Sequence, residues 1–172
     1  MNYSMKEIAI NKLIILLILK EIDMPLTRGQ LTNIVLENNL INYFDFQQCI
    51  QELEKTNFIS ILEKSQSYSI TKMGIRTLDV FASRIPNNTI EQIIKYIKKN
   101  KASIILETQV HASFTKQSET EYIVELKVIE NDIILIELKL NVVSSKQANI
   151  ICEQWKKSYH LVYDSIMNTL AK

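Results

Sequence analysis

Gln47, Gln48, Gln51 and Lys55 fall along one side of a predicted helix, and their chemistry suits the edges of nucleic-acid bases. At about 100° per residue, Phe46, Cys49, Ile50 and Leu53 take the opposite, apolar face. A Gln amide can bond adenine at N6 and N7 together, and a Lys ammonium can reach guanine or phosphate. Glu52 lies at the edge of the polar face and Glu54 follows it; each would repel phosphate. A solvated helix face of no function has the same composition, so the elements around it must decide.

Further candidates lie nearby. Thr27 and Arg28 open the preceding helix, whose free amides and dipole attract phosphate. Asn42 and Tyr43, just before the Gln-bearing helix, could also bind phosphate. So could Lys64, Ser65 and Ser67, on a turn that follows it. Little else points to chemistry. His111 and His160 have no carboxylate or cysteine partners at ligand spacing, so no metal, no cofactor and no enzymatic activity are expected. Gly29 and Gly74 are the only glycines, too few for a phosphate-cradling loop. Cys49 and Cys152 fall on apolar helix faces and are read as small buried hydrophobes. The basic run at residues 95–101 is read as a solvated helix end.

The positioning elements are marked by capping boxes, in which a cap side chain and a Glu or Gln three residues on satisfy each other's backbone amides. Ser4 with Glu7 opens a helix to about Ile22, which Asp23-Met-Pro25 ends. Thr27 with Gln30 opens a second, to about Asn38, and Asp45 with Gln48 a third, to about Asn57. Short strands at 59–63 and 68–71 flank a turn at 64–67. Thr71 then caps a fourth helix carrying Ile75, Leu78, Phe81, Ala82 and Ile85. This is the order of a winged helix-turn-helix, which commonly lays its third helix in a DNA major groove. Ile85-Pro86-Asn87-Asn88 closes that domain, residues 1–86.

Residues 87–172 read as an α-β-β-β-α domain, making the chain α+β. Asn88 with Glu91 and Ser144 with Gln147 cap its two helices. Three segments alternate with period two and bury Val110, Ala112 and Phe114; Tyr122, Val124, Leu126 and Val128; and Ile134, Ile136, Leu138 and Leu140. Setting Leu126 opposite Leu138 also sets Glu125 opposite Lys139 and Lys127 opposite Glu137, with the turn at Asn131-Asp132. The last helix carries an apolar stripe including Ala148, Trp155 and Val162, which can cover the sheet. Tyr159, Tyr163 and Met167, on or beside the stripe, are the candidate dimer surface.

The chain has 172 residues and a net charge of +1, so bulk electrostatics do not favour nucleic acid. The apolar run at residues 13–19 is far short of the roughly 20 residues a membrane span needs. A cytoplasmic protein with a buried helix and no membrane partner is expected. Tyr68-Ser-Ile-Thr-Lys-Met-Gly74 resembles the strand-to-helix element of bacterial winged-helix regulators of the PadR- and MarR-like groups. Over almost its whole length the chain also resembles an uncharacterised winged-helix family of anaerobic Gram-positive bacteria. The matching pieces are Asn11-Lys-Leu-Ile-Ile-Leu16, Pro25-Leu-Thr27, Asn38-Asn39, Tyr43-Phe44, Arg84-Ile-Pro86, Leu138-Lys-Leu-Asn-Val142 and Cys152-Glu-Gln-Trp155. The resemblance implies a DNA-binding transcription factor but no list of site residues. The expected partners are double-stranded DNA and a second copy of the chain. The alternative is an adaptor whose head docks on another protein.

Overall fold

The apolar run at residues 13–19 forms the middle of α1 (Met5–Ile22), and all seven of its side chains are buried. A helix that is apolar all round belongs in a core rather than at a surface. The computed structural model describes residues 5–171, so Ser4 and its capping box lie outside the described residues. After α1 come β1 (Leu26–Thr27), α2 (Arg28–Glu37), α3 (Tyr43–Lys55), β2 (Ile59–Leu62), β3 (Ser67–Ile70) and α4 (Lys72–Phe81). A short 3-10 turn, Ala82–Arg84, follows. The strand β1 was not foreseen. It pairs antiparallel with β3, which pairs antiparallel with β2, giving the order β1-β3-β2.

Local hydrogen bonds explain where the helices begin. Thr27 and Gln30 form the expected capping box at α2. Thr71 Oγ1 accepts from the Gly74 amide at the start of α4. The expectation for α3 is corrected. Its cap is Asn42, whose Oδ1 accepts from the Asp45 amide at 3.0 Å while its Nδ2 donates to the Asp45 carboxylate at 2.7 Å. This earlier cap lets Tyr43 and Phe44 join the helix.

Helix ends use left-handed Asn or Asp in place of Gly. Asp23, Asn39 and Asn57 have φ of 55°, 49° and 57°. After α2 the Asn39 amide donates to Leu36 O and the Leu40 amide to Val35 O; after α3 Asn57 and Phe58 do the same to Glu54 and Leu53. These paired bonds satisfy carbonyls that the helix end would otherwise leave open. They also turn the chain from α3 directly into β2.

α5 (Asn87–Gln109) is longer than foreseen at both ends. Asn88 is inside the helix, and the Thr89 and Ile90 amides donate to Pro86 O. The division between units falls within this helix: one unit ends at Lys101 and the other begins at Ala102, where the sequence suggested 86/87. The reason lies in the first half of α5. Ile93 and Ile97 are buried, Gln92 donates to Asn38 O, and Tyr96 Oη donates to Glu37.

The second unit holds β4 (Val110–Ser118), β5 (Glu121–Glu130), β6 (Ile133–Val142) and α6 (Ser145–Leu170), with Ser144 Oγ capping α6. The sheet is antiparallel in the order β4-β5-β6. Its register is the one read from charge and burial. Leu126 faces Leu138, Glu125 pairs with Lys139 at 2.9 Å, and Lys127 pairs with Glu137 at 3.1 Å. Asn131 and Asp132 both have positive φ, as a tight two-residue hairpin turn requires. That turn puts Glu130 opposite Ile133, one residue out of step with the 126/138 pairing. A bulge at Leu135 absorbs the difference.

Val110, Val124, Leu126, Val128, Val142, Ala148 and Trp155 form the core of this unit. One expectation fails: Ile134 and Leu140 are exposed, Ile134 because the bulge pairs it with Ile129 on the face away from Val128, and Leu140 because α6 lies chiefly over β4 and β5. The described chain is thus mixed α+β, with six α-helices and a three-stranded antiparallel sheet in its C-terminal part. Among the described residues no helix is long and apolar enough to cross a membrane.

Candidate nucleic-acid interface

α3 turns Phe46, Cys49, Ile50 and Leu53 inward and leaves Gln48, Gln51 and Lys55 exposed, with Gln47 half-buried. Gln47 is engaged: its Oε1 accepts from the Arg28 guanidinium at the start of α2. Gln48 donates to Glu52 Oε1 at 2.9 Å. Glu52 also forms an ion pair with Lys12 of α1, and its charge is therefore partly neutralised within the protein. Lys12, and then Gln48, hold the Glu52 carboxyl below the usual carboxylate range.

A lowered folded pKa means that this pair stabilises the protein above the ordinary carboxylate value of about 4.3. The contribution disappears as pH falls through the lower folded value. Wild type should therefore exceed Glu52→Gln in stability at pH 7, by about 0–1 kcal/mol for an exposed pair. Urea titrations at a series of pH values should show the gap closing below about pH 4. A gap that does not change with pH would contradict the assignment.

The other candidates divide. Arg28, Lys64 and Ser65 are exposed. Thr27 is half-buried and committed to its capping box, and Asn42 is committed to Asp45. Tyr43 is the first residue of α3, exposed, and meets Phe44 edge-to-face at 5.9 Å between ring centres. Ser67 is corrected. It is 1% exposed, and its Oγ donates to Ser65 O. It sits on the central strand between Thr27 of β1 and Leu62 of β2, so it cannot meet a ligand. The same pairing has a positive consequence. It sets the β2–β3 hairpin beside the start of α2, and Arg28 joins that start to α3.

Three features complete the inventory. Cys49 is buried, and burial pushes its thiol up to about 11, so it is poorly reactive at neutral pH. A cleft of about 510 Å³ lies between α1, α3 and α4. Its lining is mostly apolar, including Ile8, Leu16, Phe58 and Phe81, with Lys12, Glu52 and Arg84 as the charged members. Sequence periodicity gave no sign of this cleft, because the lining comes from segments far apart in the chain. No group of three or more His, Cys, Asp or Glu suited to a metal ion occurs among the described residues. Of the dimer candidates, Tyr159 packs half-buried against the core of the second unit, Tyr163 is half-buried, and Met167 is exposed.

Comparison with curated proteins gives no match, and comparison with solved structures gives none. A family described as "Domain of unknown function (DUF4364)" matches residues 11–170, nearly the whole chain, and the protein belongs to that family.

Proposed function

We propose that this protein is a DNA-binding transcriptional regulator whose first unit is a winged helix, with α3 as the helix that enters the major groove. The observation that carries the reading is the connected surface just described. The Gln51/Lys55 row of α3, the Arg28–Gln47 pair and the hairpin tip with Lys64 and Ser65 are joined through β1 and the start of α2. Gln51 is suited to a base edge and Lys55 to a guanine or phosphate. Arg28 would orient Gln47 or exchange it for a phosphate oxygen.

Replacing Gln47 and Gln51 together by Ala should relax sequence preference on a selected duplex by roughly 1–3 kcal/mol for each lost paired contact. Fluorescence anisotropy against the selected site and a scrambled one reads this directly. Equal discrimination by wild type and variant would refute the role of α3. Arg28, Lys55 and Lys64 are few cations, so affinity should be modest. Each phosphate neutralised adds a log–log salt slope of about −0.9. A steep slope from a monomer would contradict that footprint.

One observation favours the adaptor reading instead. Phe44 is 82% exposed beside Tyr43, which places aromatic surface at the start of the same helix. Exposed aromatics of this kind are typical anchors for protein partners. No measurable affinity for any duplex at low salt would select this second reading.

A further inference from the structure

The two edges of the β4-β5-β6 sheet differ in chemistry. The β4 edge exposes His111, Ser113, Thr115 and Gln117. The β6 edge is a ten-residue strand that leaves Ile133, Ile134, Leu135 and Leu140 exposed, Ile134 by 52% and Leu140 by 39%. Long apolar edge strands are templates for further pairing, and proteins normally blunt them with charge, proline or a cover. Here α6 covers β4 and β5 and leaves β6 largely open.

We propose that β6 is a dimer edge, on which two copies of the chain pair antiparallel about a two-fold axis at Leu138 to form one six-stranded sheet. Charge complementarity selects both the partner and the register. An axis through Glu137 would set that carboxylate against its own copy, and an axis through Lys139 would do the same with an ammonium. An axis at Leu138 sets Glu137 opposite the partner's Lys139 and Ile136 opposite the partner's Leu140, all on the regular part of β6 that follows the bulge at Leu135. Within one chain Lys139 already pairs with Glu125, and Glu137 with Lys127. The row across four strands would then run Glu125, Lys139, the partner's Glu137, the partner's Lys127. The charge alternates at every step, as cross-strand pairs prefer. Apolar residues meet apolar residues on the other face. A strand that satisfies its own copy in this way is suited to a second copy of the same chain.

The inference concerns the second unit alone and does not rest on DNA contact. The test uses the full-length chain at about 20 µM, with mass read by light scattering. Wild type should have the dimer mass. Ile134→Lys with Leu140→Lys, both at exposed positions, should halve that mass while circular dichroism stays that of wild type. Ser113→Lys with Thr115→Lys on the β4 edge should leave the dimer intact. For the register, Leu138→Cys treated with diamide should give a covalent dimer above the wild-type background. Ile136→Cys should not, since its two copies would lie four residues, about 13 Å, out of register. A monomeric wild type, or a dimer that survives the β6 lysines, would overturn the proposal. Cross-linking at Ile136→Cys in preference to Leu138→Cys would overturn the Leu138 axis. A β6 dimer that binds no duplex would refute the DNA reading alone and uphold this one.

Discussion

Gly74→Ala should destabilise the first unit by about 3 kcal/mol, near the upper end of the usual cost of overpacking. Gly74 is buried in the first turn of α4. A Cβ there would lie 2.2 Å from Phe58 O and 2.9 Å from Ile70 Cγ1. The carbonyl has little room to retreat, because it accepts from the Thr71 amide at 3.1 Å and from Thr71 Oγ1 at 3.2 Å. Those bonds tie the end of α3, the strand β3 and the start of α4 together, so the clash is distributed into three elements. Its thermal midpoint should fall by about 10–20 °C. Gly29→Ala is the control. An added Cβ at Gly29 meets nothing within 4 Å, and the residue lies in α2. Relief of glycine's entropy cost should stabilise that variant by about 0.5–1 kcal/mol. Thermal melts followed by far-UV circular dichroism check both. Equal midpoints for the two variants would contradict the packing at Gly74.

Trp155→Ala should cost the second unit about 3–5 kcal/mol, the usual range for removing a buried aromatic ring. Trp155 is 3% exposed and sits among Val110, Val124, Leu126 and Ala148, where α6 meets the sheet. Its Nε1 is buried without a hydrogen-bond partner among the described residues. An unmet buried donor is itself a cost of about 1–3 kcal/mol, so the indole is not the optimal occupant. Trp155→Phe should therefore fall much nearer to wild type than to Ala, losing ring contacts but also removing the unmet N–H. Urea titration by circular dichroism is the measurement, since both variants remove the protein's single tryptophan and with it the fluorescence signal. A Phe variant as unstable as the Ala variant would mean that the N–H has a partner such as an ordered water.

The two glycines and the tryptophan also show how different kinds of information are encoded. The Tyr68-to-Gly74 segment marked a strand passing into a capped helix, and Thr71 does cap α4. What makes Gly74 irreplaceable is the Phe58 carbonyl, and that contact exists only once β2 and β3 have paired. Trp155 was legible as part of an apolar stripe, whereas its missing partner is a property of the packed core.

The sequence by itself determined what short-range bonding and periodicity control. Thr27, Thr71 and Ser144 cap helices because each side chain reaches an amide three residues on. The 126/138 register follows because period-two burial and the two opposite-charge pairs admit the same alignment. Only the tertiary structure decided that Arg28 captures Gln47 and that Ser67 is buried. Arg28 and Gln47 are 19 residues apart, and Ser67 is covered by strands on both sides, one of them the two-residue β1. A strand that short is held by its pairing with β3, and local propensity leaves no sign of it. The open face of β6 has the same origin. Its alternation predicted burial, but one helix cannot cover three strands, and α6 was drawn to β4 and β5, where Trp155 fills the core.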